Sequence, residues 1–214
     1  MARFIVSVAI VLGLIAPAVA QQTVKVGVIA PFSGSLAVYG QQYQRGLELY
    51  LGEIGNSAGK TKIELVYRDE GAGPERVKQI AQKPIVRKPG KLLGGLTFTP
   101  GALAIAPPIT ESRTPTLIFN AGTGSITRRS PCFARTSQTA WQGAYTIGDW
   151  SGRNGIKSVY ILAADYAPGH DSKDAFETSY AKTRSAISYR TGTVGGSDAS
   201  EISSAILPSK SRES

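Results

Sequence analysis

The sequence contains little of the chemistry on which thiol and metal sites depend. Its 214 residues include one cysteine, Cys132, and one histidine, His170. A single cysteine excludes an intrachain disulfide. We expect Cys132 to be partly buried and to have no reactive role. The carboxylates nearest His170 in sequence are Asp165, Asp171 and Asp174, and carboxylates at the start of a helix are more often caps and solvated charges than ligands. The sequence therefore predicts no metal site.

Motifs of catalysis are also missing. No Gly-x-Ser-x-Gly segment lies at a predicted strand-to-helix turn, where a nucleophile elbow would be. Gly55–Thr61 looks like a phosphate-binding loop, but it is one residue short and leads from a helix into a strand, which is the wrong context. Asp69 and Glu70 could in principle form an acid/base pair, although a strand end at the surface is the simpler interpretation. The sequence predicts no enzyme, no catalytic residue and no cofactor.

Basic residues outnumber acidic residues by 24 to 15, which gives a formal net charge of +9. The basic residues are scattered, and the densest run, Lys83–Lys91, is interrupted by Pro84 and Pro89. No aromatic side chains alternate with that run, as they do in proteins that bind single-stranded nucleic acid. We therefore interpret the run as a solvated loop and expect no nucleic-acid partner.

The N-terminus has the pattern of a secretory leader. Arg3 is followed by the apolar run Phe4–Ile15 and by the small-residue site Ala18-Val19-Ala20. The run is shorter than the ~20 residues that a membrane-spanning helix needs. We expect residues 1–20 to be a signal peptide that is cleaved after Ala20, and the mature protein to be exported.

Predicted strands and helices alternate along the rest of the chain. Strands are predicted at Val24–Ile29, Lys62–Tyr67, Leu92–Phe98, Thr116–Phe119 and Ser158–Ala163. Helices are predicted over Tyr43–Ile54, from Pro74 to a break at Pro84, around Leu103–Ile109 with strain or a split at Pro107-Pro108, over Trp141–Arg153 and over Ser172–Ala181. This alternation is typical of an α/β fold with a doubly wound parallel sheet.

Ligands of such sheets bind beyond the carboxyl ends of the strands. That rule indicates the loops Pro31–Gly40, Thr97–Gly101, Ala121–Thr127 and Asp165–Asp171. Thr97, Thr99 and Thr123 lie in two of these loops, and their hydroxyls, together with free amides at a helix N-terminus, suit a carboxylate ligand. Ordinary turn chemistry explains the same residues equally well.

Four segments, in the order in which they occur, resemble type I periplasmic solute-binding proteins of ABC importers, in the branch that binds leucine, isoleucine and valine. The segments are Val26–Gly34 with Tyr39-Gly40, Gly94–Thr99, Ala121–Thr127 and Asp165–Gly169. Together they cover roughly residues 23–183. The resemblance implies two α/β lobes that close on a small solute, with the first lobe holding its polar head group.

By position, the resemblance implies that Thr99, Ala121 and Thr123 contact the polar head of the ligand. Thr97 and Phe98 would lie beside it, and Tyr166 would approach from the second lobe. A disulfide that is common in the family is absent, because its positions hold Ala72 and Thr97.

Phe98 stands where small hydroxylated residues are usual in the family. The bulkier wall would suit an aromatic or aliphatic acid or amide instead of a branched-chain amino acid.

The resemblance also implies a domain organisation. Residues 21–137 would form an incomplete first lobe and residues 138–183 the start of the second. In residues 184–214 only a weak strand at Ser185–Tyr189 is predicted. We expect this tail to be atypical in a truncated chain; a frameshift is one explanation and a divergent, naturally short protein is the other.

These observations predict a periplasmic binding component of an ABC importer for branched-chain amino acids or related small carboxylates or amides. Its partners would be the solute and the membrane permease. The alternatives from other classes are a nonfunctional fragment of such a protein and a ligand-sensing receptor domain of the same fold.

Overall fold

The computed structural model describes residues 22–71, 73–82, 92–183 and, for the backbone only, 188–194. The predicted signal peptide, the Lys83–Lys91 run and Pro84 lie outside these residues, as does most of the tail. No helix in the described part of the chain is long and apolar enough to cross a membrane.

Strands and helices alternate from Thr23 to Val194. The strands are β1 Thr23–Ala30, β2 Ser57–Ala58, β3 Thr61–Asp69, β4 Leu92–Gly95, β5 Thr116–Ile118, β6 Phe133–Arg135, β7 Ser158–Ala164 and β8 Ser188–Val194. The helices are α1 Ala37–Glu53, α2 Pro74–Ala81, α3 Thr99–Ser112, α4 Ala140–Arg153 and α5 Ala167–Thr183, with a 3₁₀ turn at Ile126–Arg128.

The first sheet has six strands in the order β2-β3-β1-β4-β5-β6. All neighbours are parallel except β2, which forms a short antiparallel hairpin with β3. A second sheet pairs β7 with β8 in parallel. The predicted doubly wound α/β fold is therefore confirmed, and the phosphate-loop look-alike at Gly55–Thr61 is the β2–β3 hairpin.

The core of the first lobe lies between the sheet and the helices α2 and α3. Val77, Ile80 and Ala81 of α2 are buried. On the other face, Tyr43 of α1 packs edge-on against Phe119 at 5.3 Å between ring centroids. Cys132 is half-buried against the core, which confirms the predicted location.

Helix α3 is not split at Pro107-Pro108, which was one of the two predicted outcomes, because it runs unbroken from Thr99 to Ser112. The two prolines lie on its outer side, where Pro107 is exposed. Ile105 and Ile109 on its inner side are completely buried. Burying each isoleucine stabilises the helix by roughly 1.5–3 kcal/mol, which is of the same order as the roughly 3 kcal/mol that each interior proline costs.

Strand β4 ends at Gly95, three residues before the predicted end at Phe98. Gly95 has φ +107°, and a Cβ there would lie 2.0 Å from the carbonyl oxygen of Ile29. Leu96 follows with φ 62°. This left-handed pair turns the chain at the sheet edge and carries Thr97 out of the strand.

The second lobe is built around the pair of helices α4 and α5. A Cβ on Gly148 of α4 would lie 2.1 Å from Ser179 Oγ and 2.6 Å from the carbonyl oxygen of Phe176 on α5. The helices therefore pack backbone to backbone at this glycine. Gly143, on the same helix, has no atom within 4 Å of such a Cβ.

Helix α5 begins at Ala167, five residues before the predicted start at Ser172. The amides of Gly169 and His170 donate to the carbonyl oxygen of Tyr166, which starts the first turn. Pro168 fits that turn because a first-turn residue needs no amide hydrogen. Most of the predicted ligand loop Asp165–Asp171 is therefore helical.

Three strands were missed or underestimated from the sequence. Strands β2 and β6 were not predicted, and the weak strand predicted at Ser185–Tyr189 overlaps β8, which extends from Ser188 to Val194. Strand β8 pairs along the whole of β7, from Ser158↔Ser188 to Ala164↔Val194. Pairing with strands that are distant in sequence stabilises β6 and β8, whose local strand pattern is weak.

Candidate functional site

A cavity of about 440 Å³ lies at the carboxyl edge of the six-stranded sheet. Its walls come from the loop after β1, the end of β3, the starts of α2 and α3, and the turn after β7. They include Leu36, Glu70, Val77, Phe98, Pro100 and Tyr166. The cavity therefore occupies the place where ligands bind in parallel α/β sheets.

Two helices begin at this cavity. Gly73 and Pro74 at the start of α2, and Pro100 and Gly101 in the first turn of α3, all line it. Neither helix has a side-chain cap. The first turn of α2 carries Glu75, whereas the first turn of α3 has no acidic residue. Free amides and the helix dipole favour an anion, and they do so more strongly at α3.

The six predicted site residues divide into two groups. Phe98 and Tyr166 line the cavity, and Tyr166 is 44% exposed. The other four are buried next to it, with 0–3% exposure: Thr97, Thr99, Ala121 and Thr123. Contact of these six residues with a ligand stays a prediction.

The structure brings together Thr99 and Thr123, which are 24 residues apart in sequence. Their hydroxyl oxygens are 3.3 Å apart, and the Thr123 amide donates to Thr99 Oγ1 at 3.4 Å. The start of α3 and the loop after β5 thus share one polar contact. A carboxylate bound here would compete with this contact for the two hydroxyl groups.

Arg135 holds the loop after β5, a role that was not predicted from the sequence. Its guanidinium donates to the carbonyl oxygens of Ala121 and Thr123, the latter at 2.7 Å. Burial lowers the pKa of Arg135. The signal that could have identified Arg135 is the register of β6 against β5, since the pairing of Ile118 with Arg135 puts this side chain at the carboxyl edge.

Asp69 holds the loop after β1. It accepts hydrogen bonds from the amides of Phe32 at 2.8 Å and Gly71 at 3.1 Å, and from the hydroxyl of Ser33 at 2.5 Å. The Ser33 hydroxyl is the main cause that lowers the pKa of Asp69. Asp69 therefore fixes the geometry of the cavity rim and is itself already fully engaged.

Glu70 corrects the interpretation of Asp69-Glu70 as a strand end at the surface, because Glu70 is only 2% exposed. Burial raises the pKa of its carboxyl to about 7, and the charge of Asp69 adds to the effect. Thr97 is close enough to lower this pKa in part. Neither carboxyl oxygen, however, has a hydrogen bond of proper geometry.

The second lobe contacts the first through the start of α5. Asp171 Oδ2 accepts a hydrogen bond of 3.0 Å from the amide of Gly124, in the loop after β5. His170 forms an exposed pair with Asp165 at 3.0 Å. Among the residues that the structure describes, no group of three or more His, Cys, Asp or Glu side chains could hold a metal ion.

The family described as periplasmic binding protein matches residues 23–211. The Leu/Ile/Val-binding protein homolog 6 of Brucella abortus (strain 2308) is 39% identical over 171 residues, which cover 79% of this chain and 44% of that protein. The matched region thus spans less than half of the curated relative. The family match continues into the tail that was expected to be atypical, and the predicted domain boundaries stay a prediction.

Two solved structures of ABC-transporter solute-binding proteins are also similar. One, from Rhodopseudomonas palustris BisB5 in complex with 3,4-dihydroxybenzoic acid, is 38% identical with a TM-score of 0.75 and covers 80% of this chain and 47% of that one. The other, from Rhodopseudomonas palustris HaA2 in complex with p-hydroxybenzoic acid, is 35% identical with a TM-score of 0.78, covering 86% and 50%. These matches confirm the predicted resemblance.

Proposed function

Because the chain belongs to the periplasmic binding protein family, we propose that it binds a small carboxylate as the solute-binding component of an ABC importer. The observation that carries the proposal is the cavity at the carboxyl edge of the sheet, where apolar walls meet the first turns of two helices. In this proposal the chain binds its solute without catalysing a reaction, acts in the periplasm after export and delivers the solute to a membrane permease.

The carboxylate is proposed to lie at the start of α3. That position offers uncapped amides, the Thr99 and Thr123 hydroxyls, and no acidic residue in the first turn. Arg135 supports it by holding the loop that carries Ala121 and Thr123. We keep residues 21–137 and 138–183 as the proposed extents of the two lobes that meet here.

We propose an aromatic carboxylate as the solute. The cavity is walled by Phe98, Leu36 and Val77, and Tyr166 approaches from the second lobe. Flat rings pack favourably against such surfaces. The two similar solute-binding proteins described above were solved with hydroxylated benzoic acids. A branched-chain amino acid is the second candidate, since the Brucella relative is named as a Leu/Ile/Val-binding homolog.

Isothermal titration of the full chain with benzoate, 4-hydroxybenzoate and leucine tests the proposal. We expect both benzoates to bind and leucine to bind at least about tenfold more weakly, a difference of about 1.4 kcal/mol. Phe98→Ser should weaken the binding of both benzoates by about tenfold, because the contact with the Phe98 ring is lost. The control is Tyr50→Ala, which changes a 62% exposed ring outside the cavity.

Two outcomes would contradict the proposal in different ways. Tighter binding of leucine than of either benzoate would replace the aromatic class with amino acids. Absence of binding for all three compounds would favour the nonfunctional fragment.

A further inference from the structure

Three polar groups are buried together beside the cavity, and none of them forms a hydrogen bond of proper geometry. They are the Glu70 carboxyl, the Thr97 hydroxyl and the Tyr43 hydroxyl. The Thr97 hydroxyl is close to both of the others, because it lowers the pKa of Glu70 and of Tyr43 against the larger raising effect of burial. Glu70 also lines the cavity.

Leaving buried polar groups unpaired is costly. Each unsatisfied group costs roughly 1–3 kcal/mol, and folded proteins contain only a few of them. Asp69, next to Glu70, shows the contrast, because it accepts three hydrogen bonds from the chain. A polar ligand atom in the cavity would supply Glu70 with a hydrogen bond of proper geometry, which the nearby Thr97 does not form with it.

We propose that Glu70 and Thr97 form a hydrogen-bonding end of the cavity that holds a hydroxyl group of the solute and rejects a second carboxylate. This inference rests on the proposed function, since it assigns the end of an aromatic carboxylate that does not lie at the start of α3.

A hydroxyl suits this end of the cavity because it both donates and accepts. Its hydrogen can go to a Glu70 oxygen, and its oxygen can accept from the Thr97 hydroxyl or from a protonated Glu70. Neither step requires a charge to be buried. A second carboxylate would instead bring an anion next to Glu70 and the charged Asp69, in surroundings where repulsion is weakly screened.

The full chain is titrated with benzoate, 4-hydroxybenzoate and terephthalate, and the titrations are repeated with Glu70→Leu, Glu70→Gln and the control Glu64→Gln. Glu64 lies on β3, the strand that Glu70 follows, where it is half-exposed and paired with Lys25. We expect 4-hydroxybenzoate to bind about tenfold more tightly than benzoate, and terephthalate about tenfold more weakly, as one hydrogen bond or one repulsive contact provides.

Glu70→Leu should abolish the preference for 4-hydroxybenzoate while benzoate changes by less than about threefold. At about pH 8, above the raised pKa of about 7, the Glu70 carboxyl is mostly ionised. Glu70→Gln should improve terephthalate binding at that pH, because it removes the repulsion while keeping the shape. If Glu70→Leu does not fold, as judged by circular dichroism, the terephthalate result with Glu70→Gln decides. Glu64→Gln should leave all three affinities unchanged.

The results separate the inference from the function on which it rests. Equal weakening of benzoate and 4-hydroxybenzoate by Glu70→Leu, or an unchanged terephthalate affinity in Glu70→Gln, would overturn the role of Glu70 while leaving the aromatic carboxylate site in place. Absence of benzoate and 4-hydroxybenzoate binding in the unmodified chain would overturn both.

Discussion

Replacing Glu70 with glutamine is expected to stabilise the protein above pH 7 and to change its stability little near pH 5. The reason is the environment of the carboxyl group, which is 2% exposed and has no hydrogen bond of proper geometry. The folded protein therefore holds the group in its neutral form over a range of pH in which the unfolded chain releases the proton. Glutamine keeps the shape and cannot ionise.

The magnitude follows from the pKa. Burial raises it from an ordinary value of 4.5 to about 7 in the folded protein. Below the unfolded pKa both states are protonated, and the contribution of Glu70 to stability is fully present. As the pH rises through the folded pKa that contribution is lost, up to about 3 kcal/mol. The advantage of Glu70→Gln should therefore grow between about pH 5 and pH 7 and then level off.

Urea unfolding of both proteins at a series of pH values measures this difference directly. Comparing the two proteins at each pH cancels the titration of all other groups, including Asp69, whose lowered pKa acts at more acidic pH. Glu64→Gln is the control, because it removes a half-exposed carboxylate from β3, the strand that Glu70 follows. Its difference from the unmodified protein should stay nearly constant from about pH 5 to pH 8.

A difference between Glu70→Gln and the unmodified protein that does not vary with pH would refute the reasoning. It would mean that Glu70 is ionised in the folded state at pH 5 and that a partner other than the described residues holds its charge. A difference that shrinks as the pH rises would refute it as well, since the sign would be reversed.

Further predictions concern the second lobe and the loop after β5. Gly148→Ala should destabilise the protein by at least about 2 kcal/mol, because the added methyl meets backbone and side chain of the neighbouring helix. Gly143→Ala, on the open side of the same helix, should stabilise the protein by about 0.5–1 kcal/mol. Urea unfolding measures both changes, and the same sign for both would contradict the described packing. Arg135→Ala should lower stability by about 2 kcal/mol, because it removes two charge-assisted hydrogen bonds, and should weaken benzoate binding. Arg135→Lys should restore only part of either loss, since an ammonium cannot bridge both carbonyl oxygens as the planar fork does, so full restoration on titration would count against the positioning role.

Several features of the fold could be predicted because their signals are local. The strand β1 and the helices α2 and α4 carry clear periodicity, and Pro74 marks the start of α2. The order of these elements implied the parallel sheet, and the sheet implied the edge at which the cavity lies. Phe98 and Tyr166 were placed at that edge by position along the chain, and both line the cavity.

Other features depend on residues that are far apart in sequence. Helix α3 continues through two prolines because Ile105 and Ile109 are buried against the sheet, which local propensity does not register. Strands β6 and β8 are short or weakly patterned and are defined by their parallel neighbours. The early end of β4 depends on the close approach of Gly95 to Ile29.

The sequence by itself determined the α/β class, the family resemblance and the loops around the cavity, because these follow from local periodicity and from short segments in a set order. Only the tertiary structure decided that Glu70 is buried without a hydrogen bond of proper geometry while the adjacent Asp69 accepts three hydrogen bonds. It also decided that Arg135 holds the loop of Thr123. The physical reason is that burial and pairing depend on which distant segments pack against a residue, and the local sequence around two adjacent carboxylates does not specify those segments.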